Sequence, residues 1–152
     1  MTRSLLALVL LTAAPAVAAD PAPSAGQLAY DLRHLGFEGL GKHMKMLSTI
    51  AKNESAPVSL GVAPAQAIQA SAKAIPSWFP EGSGPDKVKT TEALPAIWKD
   101  AEGLARAARA LDEAAGAAVA AAQAGDRAAY VAAVGAVGKS CGGCHDAFRK
   151  AD

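Results

Sequence analysis

The sequence predicts an all-α protein, an antiparallel four-helix bundle with one long crossover loop. Alanine is abundant, aromatic residues make up only 5% of the chain, and β-branched residues are sparse. Alanine is the best helix former because it loses no side-chain entropy in a helix. Apolar residues also recur at helical spacing, and no segment carries the alternating pattern of a strand. The 152 residues suffice for one domain and are too few for two.

The N-terminal segment, residues 1–19, has the pattern of a secretory signal peptide. Arg3 supplies a positive charge, residues 5–12 form a short apolar run, and small residues follow. The apolar run is too short to span a bilayer, so a transmembrane helix is the weaker interpretation. A buried helix could mimic the pattern, but the flanking residues and the terminal position favour a signal peptide. We therefore expect export, to the periplasm in a Gram-negative organism, with cleavage after Ala18 or Ala19.

The mature domain, residues 20–152, carries no charge pattern that would attract a polyanion. Loss of Arg3 brings the 15 basic residues level with the 14 acidic residues, so the mature chain is formally neutral. A neutral chain without a run of Lys or Arg is not expected to bind nucleic acid or an anionic membrane. No second apolar segment is long enough to act as a membrane anchor.

The first predicted helix runs from about Gly26 to Lys52. Ser24 precedes Gln27 by three residues, which matches a capping box at a helix start. Asn53 signals the end of this helix.

The second predicted helix begins near Pro64, a residue accepted in a first turn, and stops before Pro76. Residues 76–95 then hold four of the nine prolines, which indicates a long crossover connection. We expect Trp78 and Phe79 to fold back from this connection as a hydrophobic lid.

The third predicted helix has the clearest pattern, an apolar seam whose members are alternately four and three residues apart. The seam consists of Ile97, Ala101, Leu104, Ala108, Leu111, Ala115, Ala118 and Ala122. Gly125 is predicted to end this helix, and Asp126 to cap a fourth helix that runs to the C-terminus.

Residues 141–145, Cys-Gly-Gly-Cys-His, match the C-x-x-C-H signature of covalent haem attachment. The thiols of Cys141 and Cys144 add to the two vinyl groups of haem, and His145 supplies an imidazole to the iron. Cys141 and His145 are four residues apart and so share one helix face. A haem would also provide the apolar volume that an alanine-rich core lacks. We predict one covalent haem c within the bundle, near the C-terminal helix.

Two other interpretations of the cysteines are weaker. A thioredoxin-like redox site would need a βαβ context, which the sequence does not show. A zinc site would need a further ligand from His34 or His43, and the spacing of these histidines does not support one.

The segment 138–149, Gly-Lys-Ser-Cys-Gly-Gly-Cys-His-Asp-Ala-Phe-Arg, resembles the end of class II cytochromes c, the cytochrome c′ family. In the commonest small monohaem cytochromes the motif lies near the N-terminus instead. Further similarity covers the mature chain and is carried by Arg33, Gly36-Phe37, Leu40-Gly41, Met44, 50–52, 78–80 and 96–98.

The resemblance implies that the first helix decides what faces the iron opposite His145. One branch of the family has a methionine there and carries electrons, whereas the other has an apolar residue and a five-coordinate iron. Matching Gly36, Leu40 and Gly41 to the family pattern assigns this position to Phe37. A phenyl ring cannot coordinate iron, and it would crowd the distal face so that only a small neutral diatomic molecule could enter.

Other side chains of the first helix could still provide a sixth ligand. His34 lies one turn before Phe37 and about 60° round the helix, so it is the main rival, the other interpretation being a surface histidine. Met44 returns to the face of Phe37 about 10 Å along the axis. His43 and Met46 point away from that face.

The resemblance also assigns Arg33 to a haem propionate and Arg149 to the border of the proximal face, on which some relatives bind nitric oxide. A planar cation suits a carboxylate, although Arg33 could also be a solvated helix arginine. Residues expected near the haem as packing rather than chemistry are Leu40, Met44, Trp98 and Phe148.

The predicted function is a periplasmic monohaem cytochrome with five-coordinate high-spin iron. It would bind nitric oxide or carbon monoxide and could transfer electrons to an unidentified redox partner. The alternative is a six-coordinate, low-spin electron carrier with a Met or His ligand. An enzyme such as a peroxidase is not expected, because the sequence offers no distal acid/base group apart from His34. Relatives also imply a homodimer formed through the first two helices.

Overall fold

The computed structural model describes residues 22–151 and is helical throughout, apart from turns and one isolated β-bridge. The helices are α1 (Ala25–Lys52), α2 (Val62–Ala74), α3 (Ala96–Lys99), α4 (Ala101–Ala124) and α5 (Arg127–Phe148), with 3₁₀ turns at Val58–Gly61 and Ile75–Trp78. α4 packs against both α2 and α5, and α1 packs against the same two helices. The predicted four-helix bundle is therefore confirmed, with α3 as a single extra turn. The signal-peptide prediction lies outside the described residues.

The start of α1 depends on the predicted cap. The side-chain oxygen of Ser24 accepts a hydrogen bond from the backbone N–H of Gln27 at 3.1 Å, and helical residues begin at Ala25. α2 begins two residues earlier than predicted, so Pro64 is its third residue. Proline is tolerated there because the first turn of a helix has no partner for its N–H groups.

The third predicted helix is interrupted, and Asp100 is the reason. Its backbone leaves the helical region at φ −125° and ψ 63°, and its side chain accepts the N–H of Gly103 at 2.8 Å. This cap ends α3 and starts α4. Ile97 and the rest of the seam from Leu104 to Ala122 are buried as predicted, whereas Ala101, directly after the break, is exposed.

The junction between α4 and α5 follows the prediction. Gly125 adopts the left-handed conformation with φ 71°, which glycine enters without steric cost, and it closes α4. The side chain of Asp126 then accepts the N–H of Ala129 at 2.9 Å and caps α5.

α5 does not continue to the C-terminus, because its end pairs with the crossover connection. Ala93 and Arg149 form an antiparallel bridge, and the N–H of Leu94 donates to the carbonyl of Phe148 at 2.9 Å. We call residues 83–94 the strap. The end of this segment, residues 92–94, lies against the end of α5 and is held there by main-chain hydrogen bonds.

The largest fully buried side chain is Tyr130 of α5, and it packs against a glycine. A Cβ atom on Gly61 would lie 2.6 Å from Cζ of the Tyr130 ring, which is too close for any real contact. Gly61 thus permits the 3₁₀ turn to approach α5. None of the helices described is long and apolar enough to cross a membrane.

Gly61→Ala is expected to destabilise the protein by about 1–3 kcal/mol, because a rigid buried ring must move to admit the methyl group. Gly135→Ala is the matched control, since a Cβ there would meet nothing within 4 Å on the exposed face of α5. The control is expected to stabilise the helix by roughly 0.5–1 kcal/mol. Denaturant unfolding of both variants tests this, and equal free energies of unfolding would contradict the proposed contact.

Candidate functional site

A cavity of about 550 Å³ lies between α1, α4, α5 and the strap. Its volume is within the range of about 300–1,000 Å³ found for cofactor sites. The wall is mainly apolar and includes Phe37, Leu40 and Met44 of α1, Leu104, Ala108 and Leu111 of α4, and Val137 and Phe148 of α5. A large apolar ring system with a few polar groups at its edge would fit these walls.

Cys141, Cys144 and His145 all line this cavity from the last turns of α5. Both thiols are half-buried and free, and the described residues contain no disulfide. Burial raises the pKa of each thiol, and the neighbouring Cys141 raises that of Cys144 further. Neutral, unpaired thiols facing an apolar cavity fit the covalent attachment of a haem.

The two glycines of the motif have no close neighbours. A Cβ on Gly142 or Gly143 would meet nothing within 4 Å, and both residues are exposed. Nothing in the described chain therefore requires glycine at these positions.

The structure offers no support for the zinc alternative, since residues 22–151 contain no group of three His, Cys, Asp or Glu side chains suited to a metal ion.

Phe37 projects to the cavity and is held by two aromatic rings. Trp78 meets the Phe37 ring edge-on at a centroid distance of 5.1 Å, and Phe79 lies at 6.1 Å. Gly36 makes this possible, since a Cβ there would lie 2.8 Å from Cη2 of Trp78. Trp78 and Phe79 thus fold back on α1, and they restrict the movement of the Phe37 ring.

Of the rival donors on α1, His34 and Met44 reach the cavity, whereas His43 and Met46 do not. His34 touches the cavity rim, but its side chain is 58% exposed, and Nε2 lies 3.5 Å from a carboxylate oxygen of Glu38. Its ring also stacks on Tyr30 at 5.8 Å.

Arg33 is buried, with only 4% of its surface exposed, so it is not a solvated helix arginine. Its guanidinium donates to the hydroxyl of Ser83 at 2.9 Å, to the carbonyl of Ser83 at 2.8 Å and to the hydroxyl of Thr91 at 2.8 Å. Burial lowers the pKa of Arg33, and Tyr30 partly opposes this. The guanidinium also lies over the rings of Tyr30, Phe79 and Trp98, at 5.1 to 5.9 Å from their centroids. No ion pair in the described part of the chain includes Arg33, so it lines the cavity as a cation without an anionic partner.

Arg149 also lines the cavity and pairs with the strap. Its Nε donates to the Glu92 carboxylate at 2.8 Å, next to the main-chain bridge between Arg149 and Ala93. Phe148 is buried in the wall beside it. Trp98 is not a lining residue, because its ring packs edge-on against Phe79 at 5.8 Å and its indole N–H donates to the carbonyl of Pro80.

The substitution Glu92→Gln is expected to remove a contribution to the free energy of unfolding that depends on pH. The Arg149 guanidinium lowers the pKa of the Glu92 carboxyl through a hydrogen bond and through its charge. A carboxyl whose pKa is lowered by folding stabilises the fold above its unfolded pKa, and this contribution is lost as the pH falls through the folded pKa.

The wild type should therefore melt slightly higher than Glu92→Gln at neutral pH, and the difference should vanish in acid. The effect is small because the pair is exposed to solvent, and added salt should reduce it. Melting temperatures between pH 2 and 7 measure it, with Glu113→Gln as the control, since Glu113 is exposed in the middle of α4 and takes part in no ion pair of the described residues. A difference that persists at the acid end would contradict this origin.

Sequence reasoning did not single out Ser83, Thr91 or Glu92. These strap residues have no periodic pattern, and their partners are about 50 or more residues away. The assignment of Arg33 to the haem by resemblance was the one available signal, because a cation at an apolar site requires acceptors somewhere in the fold.

A four-helix bundle with an apolar cavity beside a C-x-x-C-H segment in its last helix defines a c-type haem protein. The profile of the family described as Cytochrome C′ matches residues 29–149. This chain therefore belongs to the cytochrome c′ family, whose cofactor is a covalently bound haem c.

Three proteins similar to this chain are also cytochromes c′. The cytochrome c′ of Pararhodospirillum photometricum is 35% identical over 120 residues, which cover 79% of this chain and 94% of the relative. The cytochrome c′ structure from Rhodobacter sphaeroides has a TM-score of 0.74 and 33% identity, over 85% of this chain and all of that one. A ferrous lysine-for-arginine variant of Alcaligenes xylosoxidans cytochrome c prime with bound NO has a TM-score of 0.73 and 25% identity, over 84% and 97% of the two chains.

Proposed function

We propose that this chain is a periplasmic monohaem cytochrome with a five-coordinate, high-spin iron that binds small gases. In this proposal Cys141 and Cys144 carry the thioether bonds and His145 is the axial ligand. The observation that carries the proposal is Phe37, a side chain without a donor atom, which lines the cavity and is held by Trp78 and Phe79.

The haem would supply an iron that binds neutral diatomic molecules, and the chain would control access to it. Next to a bound haem the Phe37 ring would leave space only for small ligands, and Leu40 and Met44 keep this part of the wall apolar. An apolar wall disfavours charged ligands because they would have to lose their hydration. Nitric oxide and carbon monoxide fit these requirements, and the relative with bound NO supports the first of them.

The proposed roles of the remaining residues follow from their positions. Arg33 is proposed to pair with a haem propionate, since it is a buried cation at the cavity wall. Arg149 is proposed to border the face of the haem on the His145 side. Phe148 is proposed to contact the haem as packing, and Trp98 to support the lid through Phe79.

A six-coordinate electron carrier is the alternative, with Met44 or His34 as the sixth ligand, because both touch the cavity. A visible spectrum of the reduced protein before and after addition of carbon monoxide separates the two. The proposal expects one broad high-spin band that carbon monoxide converts rapidly to a sharp one. Sharp low-spin bands before the gas is added would favour the alternative.

Electron transfer is compatible with either coordination state, and we propose no enzymatic role. His34 is the one imidazole on α1 that reaches the cavity, and it pairs with Glu38 in an exposed position. A peroxidase would need an acid/base group such as an imidazole over the iron.

Export to the periplasm is proposed from the signal pattern of residues 1–19, with the mature domain over 20–152.

We also propose a homodimer formed through α1. Four large apolar side chains lie on this helix with exposed fractions between 50% and 63%, namely Leu28, Leu32, Leu35 and Met46. Their spacing of four, three and eleven residues puts them on one face of the helix. Exposed large apolar side chains that share one helix face are typical of an interface, and a second copy of α1 would cover them.

Leu32→Glu is expected to weaken the dimer at least tenfold, because a carboxylate would be buried at the centre of the face. Val131→Glu, which places the same charge on an exposed apolar position of α5, is the control. Sedimentation equilibrium measures both. A wild type that sediments as a monomer at all concentrations would contradict the dimer.

A further inference from the structure

The guanidinium of Arg33 is fixed in place before any ligand enters the cavity. Three of its five N–H groups donate to Ser83 and Thr91, as described above. Both partners are buried strap residues, with Ser83 at 0% and Thr91 at 2% exposure. Two N–H groups of the cation are left for a further acceptor.

The hydroxyl of Thr91 is another unused hydrogen-bond donor, in addition to the two spare N–H groups of Arg33. Its hydroxyl oxygen accepts from Arg33 at 2.8 Å and from the backbone N–H of Ala93 at 3.2 Å, so both lone pairs of this oxygen are occupied. No described group accepts the hydroxyl hydrogen. A buried donor without an acceptor is destabilising, so its retention requires an explanation.

The position of this hydroxyl suggests the missing acceptor. Thr91 and Arg33 both line the cavity, whose wall is otherwise mainly apolar. Arg33 has spare N–H groups, and the Thr91 hydroxyl, 2.8 Å from its guanidinium, has a spare hydrogen. Together these donors suit the two oxygens of a single carboxylate. A neutral ligand would provide no counter-charge for Arg33.

We propose that Thr91 is a positioning residue that donates its hydroxyl hydrogen to the cofactor carboxylate with which Arg33 pairs. This inference rests on the proposed function, because it requires haem in the cavity. Ser83 has a different role in it. Ser83 holds Arg33 but donates its own hydrogen to the carbonyl of Pro80 at 2.7 Å, so it has none for the ligand.

The test uses the haem-loaded protein with Thr91→Val, Thr91→Ser and Ser83→Ala. A hydrogen bond to an ionised carboxylate favours its charged form, so its loss raises the pH at which the carboxylate titrates. We expect the corresponding inflection in the pH dependence of the midpoint potential to rise by on the order of one pH unit in Thr91→Val. Thr91→Ser keeps the hydroxyl and should retain the wild-type inflection.

Ser83→Ala separates a direct role of Thr91 from one exerted through Arg33. This variant also removes an acceptor of Arg33 but no donor to the ligand. An equal rise in Ser83→Ala and Thr91→Val would overturn the proposal. Glu38, His34, Glu92 and Arg149 face the same rim and are unchanged in every variant, so only differences between variants are informative.

If Thr91→Val does not accumulate as a folded haem protein, a crystal structure of the haem-loaded wild type decides. A propionate oxygen within about 3.2 Å of the Thr91 hydroxyl supports the proposal. A hydroxyl that donates elsewhere overturns it. A wild type that carries no covalent haem would instead refute the proposed function, so the two failures are distinguishable.

Discussion

Replacing Cys141 and Cys144 together by alanine is expected to abolish covalent attachment of the haem. Acidified organic solvent should then extract all of the colour from the variant, whereas the wild type should keep its colour on the polypeptide. The reason is that a carbon–sulfur bond survives acid, whereas coordination through the His145 imidazole does not once the imidazole is protonated. Absorbance of the protein and solvent phases after extraction measures the effect.

Ser140→Ala is the matched control for this pair. Ser140 precedes the motif on α5 and lines the same cavity, but its hydroxyl is engaged with the carbonyl of Val137 at 2.8 Å. The control should keep its haem in the protein phase. If solvent strips the wild type as completely as the double variant, the assignment of these two thiols is wrong.

Phe37→Met is expected to convert the iron from high-spin to low-spin. Methionine is flexible, and its thioether sulfur is a ligand for haem iron, whereas the phenyl ring has no donor. The reduced variant should show sharp bands without added ligand. Carbon monoxide should bind it at least tenfold more weakly, because the gas must displace the sulfur.

Two variants control for effects other than coordination. Leu35→Met introduces the same side chain on the exposed face of α1 and should leave the spectrum high-spin. Phe37→Leu removes the ring without adding a donor, so it should stay high-spin and bind carbon monoxide more tightly. A Phe37→Met protein that remains high-spin would show that Phe37 does not face the iron.

The helices and the attachment motif could be predicted because their causes are local. Ser24, Gly125 and Asp126 end or begin helices through contacts within a few residues. The C-x-x-C-H segment is likewise contiguous, so its spacing alone indicates the chemistry. The cap at Asp100 is also local, but it was not predicted, because the apolar periodicity of the seam continues across the break between α3 and α4.

The environment of the cavity depended on contacts between distant residues. Arg33 is separated from Ser83 by 50 residues and from Thr91 by 58, and these partners lie in an irregular segment without periodicity. The same holds for Glu92 and Arg149, which meet only because the strap crosses the end of α5. Trp98 was expected at the haem but turns toward Pro80 and the lid.

The sequence by itself thus determined the all-helical architecture, most helix boundaries and the motif whose residues are proposed to attach the cofactor. Caps, helical periodicity and a five-residue motif are set by neighbouring residues, which interact whatever the rest of the chain does. Only the tertiary structure decided that Arg33 is a buried, immobilised cation and that Thr91 lies beside it with an unused donor. Such pairings depend on where an irregular strap is held, and long-range packing rather than local sequence determines that.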